Sequence, residues 1–250
     1  METQKRYGWI DTVRGLCLIS MILYHAFYDL VYIYRVRFPF YHAGAAYIWQ
    51  QSICYTFIFL SGFCFSFGKH HVKRGVLLLA CGFLIELVTL LVIPEETVRF
   101  GILTFMGFAV LLMIPLEKLL AGIPWSWGLP ASLMLFFLFR NVNRHFMGFE
   151  GLNLVRLPDA LYSTPYLAVF GFPNAEFASS DYFSLLPWFF LYLSGYFLWK
   201  LWNPHRDKLP RFCPEIPAFS FIGRHTLPIY MLHQPAVMGI FILLHTFGVI

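Results

Sequence analysis

The first apolar segment of the chain, residues 9–33, is long enough to cross a bilayer, yet it carries four ionisable side chains on one face. They are Asp11, Arg14, His25 and Asp29. At about 100° per residue, Asp11 and Asp29 share one azimuth and the other two lie within about 60° of it. Each such group costs a few kcal/mol in lipid unless it faces protein or water. We therefore predict a helix whose polar face points into the interior of a membrane bundle.

Composition indicates that most of the chain lies in lipid. Of the 250 residues, 59% are hydrophobic and only 12% are charged, whereas a soluble domain carries about 25% charged residues. Each membrane-spanning helix needs about 20 mainly apolar residues. We therefore predict an all-α, polytopic integral membrane helix bundle. About seven transmembrane helices are expected, at about residues 9–33, 45–67, 74–94, 101–117, 122–140, 182–202 and 218–247.

We interpret residues 1–250 as a single transmembrane domain. One connection, at about 141–181, is unusually long. It is too polar to cross the membrane and too aromatic to be disordered, so we expect a folded external element there. The five cysteines, which include Cys213 in a basic loop, have neither zinc spacing nor a disulfide framework. We interpret them as reduced packing residues.

Basic residues orient the predicted bundle. If the N-terminus is cytoplasmic, six arginines fall on the external side, half of them in or beside the long connection. Cytoplasmic loops are enriched in Lys and Arg, so we predict a cytoplasmic N-terminus and an external C-terminus. The expected location is the plasma (inner) membrane. The basic residues on the cytoplasmic side would be Lys5, Arg6, Lys69, Lys73, Arg74, Lys118, Lys200, Arg206, Lys208 and Arg211.

Two histidines near the external end of the first span are candidate general bases. His25 lies one helical turn before Asp29, and a carboxylate at that distance can orient an imidazole and raise its basicity. His42 lies in the first external connection, where a substrate arriving from outside would meet it. The alternative is a purely structural role. His25 and Asp29 would then belong to a polar seam that locks helices together, and His42 would be an ordinary loop histidine.

Cations near the cytoplasmic end are candidate anion-binding groups. Arg14 stays protonated and can form two parallel hydrogen bonds to a phosphate or a carboxylate. A basic tract before the third span contains Lys69, Lys73 and Arg74. It could bind the phosphates of a cytoplasmic ligand, or it could serve only as a stop-transfer anchor.

Further polar residues complete the candidate core. Glu86 lies inside the third span and needs an arginine or histidine partner. Asp181 precedes the sixth span and fits its N-cap position. Ser61 and Gly62 permit close approach between helices. The last segment contains two prolines, which imply kinks, and it adds the polar residues Arg224, His225, Tyr230 and His233.

Four motifs carry a family resemblance. They read Ile-Asp-x-x-Arg-Gly, Phe-x-Phe-Leu-Ser-Gly-Phe, Asp-Tyr-Phe-x-Leu-x-Pro-Trp and Gly-Arg-His-Thr-Leu-x-Ile-Tyr-x-x-His-Gln-Pro. In order and spacing they resemble the heparan-alpha-glucosaminide N-acetyltransferase catalytic-domain family, which is related to the acyltransferase-3 proteins. The resemblance covers the chain from about Arg6 to His245.

The resemblance implies acyl transfer from cytoplasmic acetyl-CoA, or a related acyl-CoA, to an amine or hydroxyl of an acceptor on the opposite side. The family's catalytic histidine corresponds to His42, which stands 20 residues before Gly62. In acyltransferase-3 proteins the histidine on the first span is the suspected base, which corresponds to His25. The resemblance therefore leaves two candidate bases.

We accordingly expect an acyl-CoA-dependent transmembrane acyltransferase that acts on a sugar or envelope glycan. Its partners would be membrane lipid, acyl-CoA and a glycan or small-molecule acceptor, with a homo-oligomer left open and with no nucleic acid. No metal is expected. One alternative is a transporter or flippase that uses the polar stripe without acyl chemistry. Another is a b-type haem protein, because several histidines lie in or near the spans.

Overall fold

The computed structural model describes residues 7–42, 44–203 and 214–249, and these residues are predominantly helical. Some residues on which predictions were made lie outside these ranges. They are Cys213 and the basic residues Lys5, Arg6, Arg206, Lys208 and Arg211. The described helices are α1 (Gly8–Tyr32), α2 (Gly44–Phe63), α3 (His71–Val92), α4 (Ile102–Leu120), α5 (Trp125–Phe139), α6 (Leu185–Trp202), α7 (Pro217–Arg224) and α8 (Thr226–Thr246).

Four helices are long and apolar enough to cross a membrane among the residues that the structure describes: α1, α3, α4 and α8. This finding confirms the prediction of an all-α membrane protein. The span count of seven stays a prediction. In particular, α5 has only 15 residues, fewer than the roughly 20 that a bilayer core requires.

The last predicted span, residues 218–247, is not one helix. It is divided at His225, whose φ of −107° and ψ of 29° end α7 before α8 begins. Pro228 explains the break, because a proline ring clashes with the carbonyl group four residues earlier, here that of Arg224. The kinks that the two prolines predicted are therefore confirmed at Pro228, whereas Pro235 lies inside α8. The segment 218–247 consists of two helices, so it is not the single helix that one span would form.

Contacts divide the chain into two compact units. The first unit comprises residues up to Phe57 and from 205 onward, and it contains α1, the start of α2, α7 and α8. The second unit comprises residues 58–204, which include α3 to α6 and the long connection. The single-domain interpretation stays a prediction.

The core of the first unit forms between α1 and the start of α2. Cys17, Leu18 and Met21 of α1 are buried against Ile53 of α2. The Cys17 thiol lies 3.4 Å from the Ile53 carbonyl oxygen, to which it donates. These contacts are apolar or weakly polar. The ionisable residues of α1 therefore lie on a different face of the helix from the one that packs against α2.

Helices α1 and α7 approach each other through two glycines. A Cβ placed on Gly15 would lie 2.0 Å from the carbonyl oxygen of Phe219, and one on Gly223 would lie 1.8 Å from that of Asp11. Real Cβ atoms do not come so close to a carbonyl oxygen. The two backbones can therefore touch only because both positions lack a side chain, which is the common small-residue mode of packing in membranes.

In the second unit, α2 and α6 meet in the same way. A Cβ on Gly62 would lie 1.8 Å from the Tyr192 carbonyl oxygen, and one on Gly195 would lie 2.0 Å from that of Phe59. The structure thus confirms the prediction that Gly62 permits close helix approach. Aromatic side chains fill the space around this contact, with the Phe63 and Trp202 rings stacked at 5.2 Å.

The long connection contains a small antiparallel hairpin, β1 (Phe146–Phe149) and β2 (Leu152–Arg156). The amide of Asn141, which is 2% exposed, organises it. Its Nδ2 donates to the carbonyl oxygens of Glu150 at 2.8 Å and Leu152 at 3.1 Å. The side chain thus holds the turn and β2, and the backbone N–H of Asn141 donates to the Gly148 carbonyl oxygen of β1 at 3.1 Å. The external placement of the hairpin stays a prediction.

Candidate active site

The polar face of α1 forms two clusters within the first unit, and the first lies at the beginning of the helix. Asp11 is 4% exposed and lies between two guanidinium groups. Arg14 Nη1 donates to Asp11 Oδ1 at 2.9 Å, and Arg224 Nε lies 3.7 Å from Asp11 Oδ2. The carboxylate is therefore held by one arginine of its own helix and one of α7.

Further contacts tie α7 to the same place. Arg224 Nη2 also hydrogen-bonds to Glu215, whose Oε1 accepts from Ser220 Oγ at 2.5 Å. The backbone N–H of Ile216 donates to Thr12 Oγ1 at 3.0 Å. The motif at the start of the chain and the motif that contains Arg224 are thus halves of one helix contact, although about 200 residues separate them.

The second cluster lies near the end of α1, against α8. Asp29 is 1% exposed, and Gln234 Nε2 donates to both of its carboxylate oxygens at 2.9 Å. Hydrogen bonds to a charged group are about twice as strong as neutral ones. This pair therefore fixes the position of α8 against α1 at that level.

Two histidines face each other beside this pair. The rings of His25 on α1 and His233 on α8 have their centroids 5.1 Å apart. The Tyr230 ring lies 5.3 Å from that of His233, and the Tyr230 carbonyl oxygen lies 2.5 Å from His233 Nδ1. The structure thus brings together four residues that were candidates from the sequence: His25, Asp29, Tyr230 and His233.

The sequence model of one family, heparan-alpha-glucosaminide N-acetyltransferase, catalytic, matches residues 6–235. The chain belongs to this family. The match includes both polar clusters of α1 and ends just after Gln234. Comparisons with curated proteins and with solved structures give no match.

Membership in the heparan-alpha-glucosaminide N-acetyltransferase catalytic family points to a membrane acetyltransferase. Acetyl-CoA is the general donor of that family. Among the residues that the structure describes, no group of three or more His, Cys, Asp and Glu side chains is arranged to hold a metal ion.

His42, one of the two candidate bases, lies in a short 3₁₀ helix, Pro39–His42. Its side chain is outside the described atoms, so its role stays a prediction. The preceding residue, Tyr41, is buried, and its ring lies 5.2 Å from that of Tyr24 on α1. The backbone at His42 is therefore held against α1.

The basic tract lies in the second unit. Lys73 and Arg74 are in the first turn of α3, and Lys69 precedes that helix. Lys69 and Lys73 are exposed, and Arg74 is partly buried. The His71 ring stacks on Phe65 at 4.2 Å. Cationic side chains and the free N–H groups of a helix N-terminus both attract anions, which suits the predicted phosphate contacts.

Glu86 and His225 are less involved than the sequence suggested. Glu86 is partly buried on α3 in the second unit, and its predicted ion pair stays a prediction. His225 is exposed at the end of α7, where its Nδ1 lies 2.9 Å from the Phe221 carbonyl oxygen. This contact is local to the helix end.

Asp181 does not cap the sixth span, and that prediction is wrong. Helix α6 begins at Leu185, whereas Asp181 Oδ2 accepts from the backbone N–H of Ile102 at 3.3 Å. It therefore serves the N-terminus of α4. Burial raises the pKa of Asp181 to about 6, and the Ile102 hydrogen bond opposes this shift in part.

Sequence reasoning missed Gln234, although it lies in the His-Gln-Pro motif beside His233. A glutamine in an apolar span is itself a signal, because its amide needs partners at membrane depth. Lys200 was counted only as a cytoplasmic charge. Its Nζ donates to the carbonyl oxygens of Leu120, Ala121 and Ile123 at 3.2, 2.9 and 2.6 Å, and so completes the end of α4.

Proposed function

We propose that this protein moves an acetyl or other short acyl group from cytoplasmic acyl-CoA to an amine or hydroxyl of an acceptor at the external face. The acceptor we propose is a sugar or an envelope glycan, and the membrane is the plasma (inner) membrane. Family membership supports acetyl transfer in general. The polar clusters of the first unit supply groups that such a reaction requires.

The observation that carries the proposal is the arrangement of buried Asp29 with partly buried Gln234 and two facing, partly buried histidines between α1 and α8. Polar and ionisable groups at membrane depth are costly and mark functional sites. A positioned histidine base accelerates proton transfer by about 10²–10⁴-fold. An amine or hydroxyl needs such a base to attack a thioester.

In the proposed reaction, a histidine removes a proton from the acceptor while the acceptor's nitrogen or oxygen bonds to the thioester carbonyl carbon. The carbon–sulfur bond then breaks, and the departing CoA thiolate is protonated. His42 and His25 are the proposed bases. The hydrogen bonds of Asp29 that the structure shows come from Gln234. That Asp29 also orients His25 is part of the proposal.

Donor binding is proposed for Arg14, Lys69, Lys73 and Arg74. Arg14 donates a hydrogen bond to Asp11, and this carboxylate neutralises much of the charge of the Arg14 guanidinium group. The tract at the start of α3 is therefore better suited to the phosphates of CoA, and Arg14 to the contact between α1 and α7. We further propose a cytoplasmic N-terminus, because it places this tract on the side where acyl-CoA is found.

The second candidate is a transporter or flippase, which the buried polar groups between α1 and α8 would also fit. The two activities differ in whether a thioester is broken. A transporter moves its substrate without releasing free CoA, whereas a transferase releases one CoA thiol for each acceptor that it modifies.

The test uses the purified full-length protein, acetyl-CoA labelled in the acetyl group and extracted envelope glycans. We expect label in the glycan fraction, with an equal amount of free CoA thiol. Substrate uptake into proteoliposomes without thiol release would instead identify a transporter. A Soret band in the purified protein would revive the haem alternative.

A further inference from the structure

The hydrogen bond between His233 and Tyr230 determines which ring nitrogen of His233 is free. A carbonyl oxygen can only accept, so Nδ1, 2.5 Å from the Tyr230 oxygen, must carry the proton. In a neutral imidazole the other nitrogen, Nε2, then has an open lone pair. His233 is therefore held in the tautomer that can accept a proton at Nε2.

That lone pair is buried and has no hydrogen-bond donor among the described residues. The Oε1 atom of its neighbour Gln234 is in the same condition, because Gln234 uses its N–H groups on Asp29. Buried acceptors are nearly always satisfied in folded proteins. Two adjacent exceptions at membrane depth indicate a place that receives a proton or a donor group during function.

His25 is an ionisable residue whose ring lies beside that of His233. Its ring centroid lies 5.1 Å from that of His233. The Asp29–Gln234 hydrogen bonds, one turn further along α1, prevent the helices from sliding apart at this level. Catalytic hydrogen bonds are often long before the substrate binds and shorten in the complex. Small ring rotations would bring a His25 N–H to His233 Nε2.

We propose that His233 is the proton-accepting partner of His25. The inference rests on the proposed acyl transfer, with His25 as its base. When one ring nitrogen of His25 takes the proton of the acceptor, the N–H on its other nitrogen passes to His233 Nε2. The acceptor bonds to the thioester carbonyl carbon, the carbon–sulfur bond breaks, and the proton returns by the same route to the CoA thiolate.

The partnership distinguishes His233 from a residue that only packs. Gln234 already fixes α8 against α1, so His233 is not needed to hold the two helices together. The ionisable side chains whose rings contact that of His233 are His25 of α1 and Tyr230 of its own helix. Of these, His25 carries an imidazole, which can accept a proton at one ring nitrogen and donate one from the other.

The test is a double-mutant cycle on turnover, using the full-length protein, acetyl-CoA and the glycan fraction that the wild-type protein acetylates. We expect His25→Asn and His233→Gln each to lower kcat by about 10²-fold or more, and the double variant to be no slower than the slower single variant. Residues that act as one unit show this non-additivity. Losses that multiply in the double variant, or a His233→Gln kcat within about threefold of wild type, would overturn the inference.

Two further variants guard against a folding artefact. His245→Gln replaces another histidine of α8, and we expect it to retain wild-type kcat. The kcat of His233→Ala should rise at least tenfold when imidazole is added. The acid limb of its profile of kcat against pH should also shift from that of the wild-type protein. A folded, inactive His233→Ala protein that imidazole cannot rescue would contradict the partnership. If the wild-type protein transfers no acetyl group, the proposed function itself fails.

Discussion

The contact between α1 and α7 in the first unit and the contact between α2 and α6 in the second are built on the same device. Each uses a pair of glycines that bring two helix backbones to within touching distance. They differ in what surrounds the glycines. Around Gly15 and Gly223 lie the ion pairs of Asp11, whereas around Gly62 and Gly195 lie stacked aromatic rings such as Phe63 and Trp202.

The surroundings of the two glycine contacts differ in the chemical groups that they offer. Aromatic packing fills space and excludes water, but it offers no group that can move a proton. The first unit instead carries buried carboxylates at both ends of α1, each with a partner from a helix late in the chain. Helix packing therefore explains both contacts, and the buried carboxylates Asp11 and Asp29 belong to the first unit.

The largest expected effect is loss of folding when either glycine contact is blocked. Gly223→Val and Gly195→Val each push a side chain into a carbonyl oxygen, so each should destabilise the protein by about 3 kcal/mol or more. The measurement is the thermal midpoint and the yield of monodisperse protein in detergent. Gly44→Ala, at a position with open space, is the control. Wild-type stability in either valine variant would show that the backbones are further apart.

The next prediction compares the side-chain amide of Gln234 in the first unit with that of Asn141 in the second. Gln234→Leu and Asn141→Leu should each cost about 2 kcal/mol, because each removes hydrogen bonds from a buried polar group. Only Gln234→Leu should also reduce turnover of the protein that remains folded, since Asn141 holds a hairpin. Equal losses of turnover in both variants, at equal amounts of folded protein, would remove the functional distinction between the units.

Stability should depend on pH through Asp181 in the second unit. Its folded-state pKa is about 6, above the usual value of 3.8, so its contribution is present below about pH 4 and lost as pH rises through 6. We expect Asp181→Asn to be more stable than wild type by about 2 kcal/mol at pH 8 and equal to it near pH 4. Thermal midpoints at the two pH values measure this. A constant difference would mean that Asp181 does not titrate as described.

The smallest effect concerns Arg14. Arg14→Lys keeps the charge but loses the geometry of the guanidinium, so it should weaken the Asp11 contact by about 1 kcal/mol or raise the KM for acetyl-CoA a few-fold. The pH profile should not shift, because Arg14 does not exchange protons. A shifted profile with an unchanged KM would place Arg14 in the proton transfer.

Patterns with a fixed period could be predicted from the sequence. The polar face of α1 follows from the helical repeat, and the structure buries Asp11 and Asp29 as that face requires. The close approach at Gly62 likewise follows from small residues in an apolar segment. Both features depend on residues near one another in the chain, so their local spacing is informative.

Pairings between distant segments could not be predicted. Asp181 was assigned to the nearest helix start, but it binds the N-terminus of α4, about 80 residues earlier. Gln234 reaches Asp29 from the other end of the chain. Such partners depend on how helices pack, and one sequence carries no signal of it. The break at His225 is different, because the prolines of the last segment predicted a kink and Pro228 explains its position.

The central proposal is that His25 takes part in the chemical step of acyl transfer, whereas Arg74 contributes to the binding of acyl-CoA. The most direct measurement compares the kinetics of His25→Asn with those of Arg74→Gln over a range of acetyl-CoA concentrations. The account predicts that His25→Asn lowers kcat by about 10²-fold with little change in KM. It predicts that Arg74→Gln raises the KM for acetyl-CoA and largely preserves kcat. Near wild-type kcat in His25→Asn, together with a collapse of kcat in Arg74→Gln, would contradict it.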